Sequence, residues 1–208
     1  MTEDILEKLV DGFLNRNASV FTKHNVKYRP DIKNMSLQEK RKYSVNSDID
    51  VLGLSVMNNH AYAVSCKSWQ GGFNCKYYFD HLKQPDLHST MLSGREVWKG
   101  FREITNPTWA KAFREKILTE TKAESFTYII AVTKLIQENY REKFESCNEF
   151  LNLLSNKGEI KVNIQLLTLE EIFETIWREN QKTALESSEI GRIIQLMKAA
   201  GLTIKKNS

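Results

Sequence analysis

Two short apolar runs flanking a turn constrain the fold of this chain more than any other feature: residues 48–55 (DIDVLGLS) and 61–67 (AYAVSCK), with Met57-Asn58-Asn59 between them. Runs of this length, bounded by turn residues, read as an antiparallel β-hairpin. The open end of that hairpin carries Asp48, Asp50, Ser65 and Lys67 among Ile, Val, Leu, Ala and Tyr. Alternate side chains of a strand share a face. Asp48 and Asp50 are therefore expected on one face, and Ser65 and Lys67 on one face of the neighbouring strand. Charged groups persist in such strands only when they are paired or hold a metal.

Two arrangements satisfy that requirement. One is an Asp–Lys ion pair near a sheet end. The other is a divalent-metal site, because Mg²⁺ prefers oxygen ligands, keeps several waters and needs only one or two carboxylates. In the second arrangement Asp50 and the backbone carbonyl of Cys66 are candidate ligands. Lys67 is then placed to orient or deprotonate an attacking water and to steady charge on a phosphate. Lysine suits the task because burial and a nearby cation lower its pKa toward the working range.

The hairpin sits in an alternating chain. Residues 2–15 carry an apolar stripe (Ile5, Leu6, Leu9, Val10, Phe13, Leu14) with Thr2 as N-cap, which predicts a helix. Residues 19–28 alternate as a strand that Pro30 ends, and Ser36-x-x-Glu39 is a capping box for a short helix. Beyond the hairpin, helices are predicted at about 92–103 and from Asn106, with Pro107 at its first position, to about 121. Strands at 126–133 and 160–167 follow, with helices at 138–154, from Thr168-x-x-Glu171 to about 180, and at 188–200. Three meandering strands followed by helical crossovers predict an α/β fold with a mixed sheet flanked by helices. The length of 208 residues suits one such domain over 1–208.

Composition narrows the setting. No apolar run approaches the roughly 18 residues of a membrane span, and the N-terminus is acidic and amphipathic rather than a secretory leader, so a cytoplasmic location without a membrane partner is expected. Cys66, Cys75 and Cys147 are odd in number and lack CxxC spacing, which predicts reduced thiols. His24, His60, His81 and His88 show no ligand spacing and read as surface or loop residues. Lys and Arg exceed Asp and Glu by 30 to 26, a mild excess concentrated between the first helix and Asp48. Lys23, Lys27, Arg29, Lys33, Lys40, Arg41 and Lys42, with Tyr28 and Tyr43 among them, suit a phosphate backbone or simply a solvated basic surface.

Ile49-Asp50 followed by Ser65-Cys66-Lys67, within the longer run Val64-Ser65-Cys66-Lys67-Ser68-Trp69-Gln70-Gly71-Gly72, resembles the PD-(D/E)xK nuclease superfamily. The likeness is greatest to Mrr-like restriction endonucleases and archaeal Holliday-junction resolvases. It covers residues 2–68, with 90–208 as helical and strand elaborations. The resemblance implies a restriction endonuclease-like domain that hydrolyses phosphodiester bonds in DNA, with RNA not excluded, using Mg²⁺ or Mn²⁺. It makes Asp50 the metal-binding aspartate and Lys67 the catalytic lysine. In several branches an acid from the first helix completes the site, and here Glu7 and Asp11 are the candidates. A homodimer is also implied, since double-strand cutters commonly pair two sites. Ser65 departs from the pattern by replacing the Glu of ExK. Either a displaced acid, Asp48 or Glu7, compensates, or the protein is a nucleic-acid-binding module with weakened catalysis.

Two further segments have two readings each. Trp69-Gln70-Gly71-Gly72-Phe73 is either a close approach to nucleic acid, with Gln70 at a phosphate, or a turn capped by core aromatics. Arg95, Lys99 and Arg102 fall at i, i+4 and i+7, which predicts either a basic helix edge against a duplex or a solvated face over Trp98 and Phe101.

Overall fold

The computed structural model describes residues 5–16, 19–33, 35–83, 91–92, 95–179 and 189–202. Helix α1 (Ile5–Asn15) buries Leu6, Leu9, Val10 and Leu14, while Ile5 falls outside the stripe and is exposed. The expected cap Thr2 lies outside the described residues. Strand β1 (Val20–Tyr28) leads to α2 (Leu37–Tyr43), opened by Ser36, whose carbonyl accepts the Lys40 N–H at 2.9 Å. The predicted hairpin is β2 (Ser47–Ser55) with β3 (His60–Lys67), and Asn59 takes the left-handed conformation at the turn, φ 46°.

Beyond β3 the chain departs from the predicted pattern. A two-residue strand, β4 (Phe73–Asn74), runs into α3 (Cys75–Leu82), a helix that the sequence pattern does not predict. The Asn74 side chain caps it by accepting the Tyr77 N–H at 2.9 Å. The helix expected at about 92–103 is absent as a continuous element. In its place stand β5 (Met91–Leu92), β6 (Arg95–Glu96), a 3-10 turn at Val97–Gly100 and α4 (Arg102–Thr105). Burial of Val97, Trp98, Phe101 and Ile104 together governs this stretch, and Phe101 leaves helical geometry at φ −143° to achieve it.

Helix α5 (Pro107–Thr121) matches expectation: the Asn106 side chain accepts the N–H groups of Thr108 and Trp109 at 3.0 and 3.2 Å. Strand β7 (Ser125–Val132) follows, then β8 (Leu135–Ile136), which pairs with β4. The single helix predicted over 138–154 is a 3-10 turn, α6 (Arg141–Glu145) and α7 (Asn148–Ser155). An extended Cys147 separates the last two and lets Phe144 and Phe150 both bury, 5.3 Å apart. Strand β9 (Lys161–Thr168) ends in the predicted capping box of α8 (Leu169–Glu179). There Thr168 N–H meets Glu171 Oε2 at 2.8 Å and Glu171 N–H meets Thr168 Oγ1 at 3.2 Å. Helix α9 (Glu189–Ala199) completes the described chain.

The main sheet has five strands in the order β1-β2-β3-β7-β9. The first three pair antiparallel; β3–β7 and β7–β9 pair parallel. This is the mixed α/β sheet expected from the meander and crossovers. Residues of α3, α4, α5 and α7 pack on one face, and those of α1, α8 and α9 on the other. Strand β7, paired on both edges, feeds both cores: Phe126, Tyr128, Ile130 and Val132 go to the α5 side, Ile129 and Ala131 to the α1 side. Among the described residues, no helix is long and apolar enough to cross a membrane.

The alternation of the first two strands is broken near Asp50. Val51 lies in the α1-side core, whereas Ile49, two residues away, lies in the α5-side core. The same switch occurs in β1. Val20 is in the α1-side core and Thr22 and His24 bond Asp11 of α1, yet Val26 and Tyr28 are in the α5-side core. The register His24↔Val51 and Val26↔Ile49 sets Asn25 opposite Asp50 at the switch, and Asn25 is left-handed at φ 52°. Strict alternation therefore fails between Ile49 and Val51, at Asp50.

Candidate active site

The β2–β3 ladder runs from Ser55↔His60 to Val51↔Val64 and stops there. The next residues on each strand are Asp50 and Ser65, so the hairpin parts where its charged residues begin. At the parting, Asp50 Oδ2 accepts the backbone N–H of Cys66 at 2.6 Å, a side chain standing in for the missing ladder partner. A strand residue turns its N–H and C=O to the same side. The Cys66 carbonyl therefore faces the same opening as the Asp50 carboxylate.

Burial pushes the Asp50 carboxyl up to about 6. The Cys66 N–H and the charge of Lys67 oppose that shift, while Glu7 and Asp48 reinforce it. Glu7, in the first turn of α1, thus reaches the site electrostatically. Asp11 is committed elsewhere: it accepts from Thr22 Oγ1 at 2.5 Å and Asn15 Nδ2 at 2.9 Å, and pairs with His24 Nε2 at 3.2 Å. Of the two first-helix candidates, Glu7 is the one whose charge acts on Asp50. Asp48 is exposed at the start of β2, beside its register partner Lys27.

Lys67 is half-buried at the end of β3, with Nζ 5.6 Å from the centroid of the Phe101 ring. Among the described residues no ion pair joins it to Asp50, so the simple Asp–Lys pairing considered from the sequence is not formed. Ser65 is 9% exposed and stands between Val64 and Cys66 of the α1-side core, so the alternation of β3 turns it to the α5 side. Its hydroxyl lies on the face opposite the α1 helix that carries Glu7.

Among the described residues no three His, Cys, Asp or Glu side chains form a ready metal-binding group. The donors that do converge are the Asp50 carboxylate and the opening faced by the Cys66 carbonyl, with the Glu7 charge nearby. That set fits a hard cation that keeps most of its water and does not fit a fully protein-caged one.

The basic residues divide. Lys27 and Arg29 are exposed and line an open groove of about 480 Å³ between the end of β1 and α5, with Lys33 and Lys116 on its walls. Lys23 pairs with Glu120 at 2.8 Å, and Tyr43 is buried with its ring tilted on Trp109, so neither belongs to that surface. Gln70 is exposed in the turn after β3. Gly72 has φ 83°, and a Cβ there would meet Lys134 Cγ at 2.6 Å, which explains the glycine by close backbone approach. Phe73 is fully buried; Trp69 stacks on Tyr78 at 5.4 Å and keeps one third of its surface exposed.

The basic helix edge expected from Arg95, Lys99 and Arg102 does not exist. Arg95 lies in β6, Lys99 in the 3-10 turn paired with Glu96, and Arg102 opens α4 with its guanidinium 4.9 Å from the Trp109 ring. The i, i+4, i+7 spacing assumed a continuous helix that the burial of Phe101 breaks. His24 and His60 stand in strands, not loops, and His60 bonds Ser125 and Thr127 at 2.7 and 2.9 Å. His88 lies outside the described residues.

Sequence reasoning missed Asn25, Glu103 and Tyr128. Only Glu103 left a trace, as an acid set between Phe101 and Ile104 in an otherwise apolar and basic stretch. No protein-family model, curated protein or solved structure matches this chain.

Proposed function

We propose that this chain is a divalent-metal-dependent nuclease of the PD-(D/E)xK type that hydrolyses phosphodiester bonds in DNA. The observation that carries the reading is the Asp50 carboxyl, half-buried where β2 and β3 part, pushed up to about 6, and facing the added charge of Glu7 and Asp48. A carboxylate so placed is stabilised in its charged form by a cation, and Mg²⁺ or Mn²⁺ suits a site with few protein ligands and room for water. Asp50 and the Cys66 carbonyl would hold the ion, with Glu7 as the helix-borne acid and Asp48 at the rim. The cation would supply Lewis-acid polarisation of the phosphate and the attacking water. Lys67 sits on the adjacent strand to orient that water and to balance charge on the phosphate. Lys27 and Arg29 would neutralise flanking phosphates. Cutting both strands calls for two sites on opposite strands, so a homodimer on the duplex is part of the proposal.

A second reading has its own support. Ser65 is turned to the α5 side and leaves the opening one carboxylate short. On that reading the chain is a nucleic-acid-binding module with weakened catalysis. Supercoiled plasmid incubated with Mg²⁺ or Mn²⁺ separates the two. The nuclease nicks it, and Lys67→Ala lowers the rate by roughly 10²–10³, the usual loss of one charge-stabilising group. Wild-type protein that shifts plasmid in a gel and nicks none of it removes the enzyme reading. A parallel RNA substrate decides between the nucleic acids.

A further inference from the structure

The turn after β3 holds an indole that the metal, the water and the attacked phosphate leave unused. Trp69 packs on three rings, with centroid distances of 5.4 Å to Tyr78, 6.1 Å to Phe101 and 6.4 Å to Phe73. Those three rings lie only 4.6 to 6.0 Å from one another. Rings on opposite sides of the indole would be separated by nearly the sum of their distances to it, so all three stand to one side. The exposed third of Trp69 is therefore turned away from them. The backbone is fixed as well. Trp69 N–H donates to the Lys67 carbonyl at 2.8 Å, and the Trp69 carbonyl accepts the Gly72 N–H at 3.0 Å and the Thr133 hydroxyl. A flat apolar face is thus held toward water by its packing and by its backbone.

Two lysines border that face. Lys67, two residues earlier, has its Nζ 5.6 Å from the centroid of the same Phe101 ring that Trp69 meets edge-on. Lys134 comes from the segment after β7, where its carbonyl accepts the Phe73 N–H at 2.8 Å. Its stem lies along Gly72: a Cβ on that glycine would stand 2.6 Å from Lys134 Cγ and 3.2 Å from Cε. The ammonium is one bond further, at the turn that carries Trp69. Lys134 is exposed, and among the described residues it forms no ion pair.

We propose that Trp69 is a base-stacking platform, with Lys67 and Lys134 taking phosphates of the stacked strand, so that the strand engaged at the candidate active site is unpaired there. This rests on the nucleic-acid reading of the site and names its substrate: single-stranded DNA, or a duplex from which one base has left the stack. A base inside a duplex has both faces covered by its neighbours and offers none to the indole. An unpaired base offers one whatever its identity, and the ammonium groups beside it supply the charge for the backbone. An indole already fixed in place loses little freedom on stacking. The two ammonium groups also disfavour an apolar partner on this face, because covering it would strip their water.

The test uses the full-length chain in EDTA, where metal-dependent cleavage is silent, with a short oligothymidylate and a hairpin-closed duplex as probes. Wild type is expected to bind the single strand roughly tenfold more tightly than the duplex, with quenching of its indole fluorescence. Trp69→Leu keeps an apolar side chain on Tyr78 and removes the flat face. It should weaken single-strand binding roughly tenfold and leave duplex binding within about twofold. Trp69→Phe should recover most of the affinity without the quenching, since Trp98 and Trp109 are buried. Lys134→Met keeps the stem along Gly72 and should lower the slope of log affinity against log salt by about 0.7, one phosphate contact on a single strand. With the quenching of wild type, it carries the test if the Trp69 variants do not fold. Equal single-strand affinity in wild type and Trp69→Leu overturns the proposal, as does quenching that survives Trp69→Phe. A Trp69→Leu chain that turns from dimer to monomer with single-strand binding intact also overturns it, and assigns the indole to an interface between copies. Plasmid nicking with Mg²⁺ alongside any of these results leaves the nuclease reading standing. Selective, Trp69-dependent binding of single strands by a chain that nicks nothing removes the enzyme and supports the platform.

Discussion

Asp50 and Glu103 are two carboxylates withdrawn from water at the same end of one sheet, and their surroundings treat them oppositely. Glu103 receives two phenol protons and lies among aromatic residues. Asp50 receives one backbone N–H, and Glu7 and Asp48 work against its charge. The first environment is complete as folded. The second becomes favourable for a charged carboxylate when a cation joins it. Two acids drawn from water on one sheet thus differ by what opposes their charge, not by burial itself.

Removing Glu103 tests this contrast most severely. Glu103→Leu leaves two buried phenols without their acceptor, and a loss of roughly 2–5 kcal/mol is expected from urea unfolding. A variant as stable as wild type would show that the carboxylate is not what completes this region.

Asp50→Asn should move stability in the other direction. The amide oxygen can still accept the Cys66 N–H, while the charge disfavoured by burial is gone. A gain of about 1–3 kcal/mol near neutral pH is expected, the scale set by raising a carboxyl from 3.8 to about 6. The pH dependence follows from the same shift. A raised folded-state pKa means that the native state binds the proton more tightly. The Asp50 contribution to stability is therefore fully present below about 3.8 and is lost as pH rises through about 6. Urea midpoints across that window should fall with pH in wild type, and less so in Asp50→Asn. Added Mg²⁺ should raise the melting temperature of wild type and leave that of Asp50→Asn unmoved.

The finest distinction lies between the two acids of α1. Glu7→Gln should lower the Asp50 titration midpoint from about 6 toward its ordinary value, because one of the charges holding it up is removed. Asp11→Asn should leave it in place, since Asp11 is engaged by Thr22, Asn15 and His24. Carboxyl-carbon chemical shifts followed through a pH titration would read both. Equal effects from the two variants would undo the assignment of Glu7 to the site.

Much of this molecule is local and was therefore legible. The hairpin, the N-caps at Asn106 and Thr168, the meander and the two later parallel strands all follow from short-range pattern. Each depends on periodicity or on a cap within three or four residues. The mixed character of the sheet followed from the same pattern joined to the rule for crossovers. Where the reading failed, a distant contact had overruled a local signal. Residues 92–103 have helical spacing, but burying Trp98 and packing Phe101 against Tyr78 and Trp69 takes precedence. The break in 138–154 follows likewise from placing Phe144 and Phe150 in one core.

By itself the sequence determined that Asp50 and Lys67 stand on neighbouring strands at one end of a hairpin, because strand pairing and period fix that arithmetic. Only the tertiary structure decided what surrounds them. It broke the alternation at Asp50 opposite a left-handed Asn25, set Glu7 rather than Asp11 where its charge acts on Asp50, and turned Ser65 to the α5 side. Those choices depend on residues from α1, β1, β2 and β3, separated widely along the chain and brought together only by packing. The electrostatics of a buried group are a sum over such neighbours, which no local pattern carries.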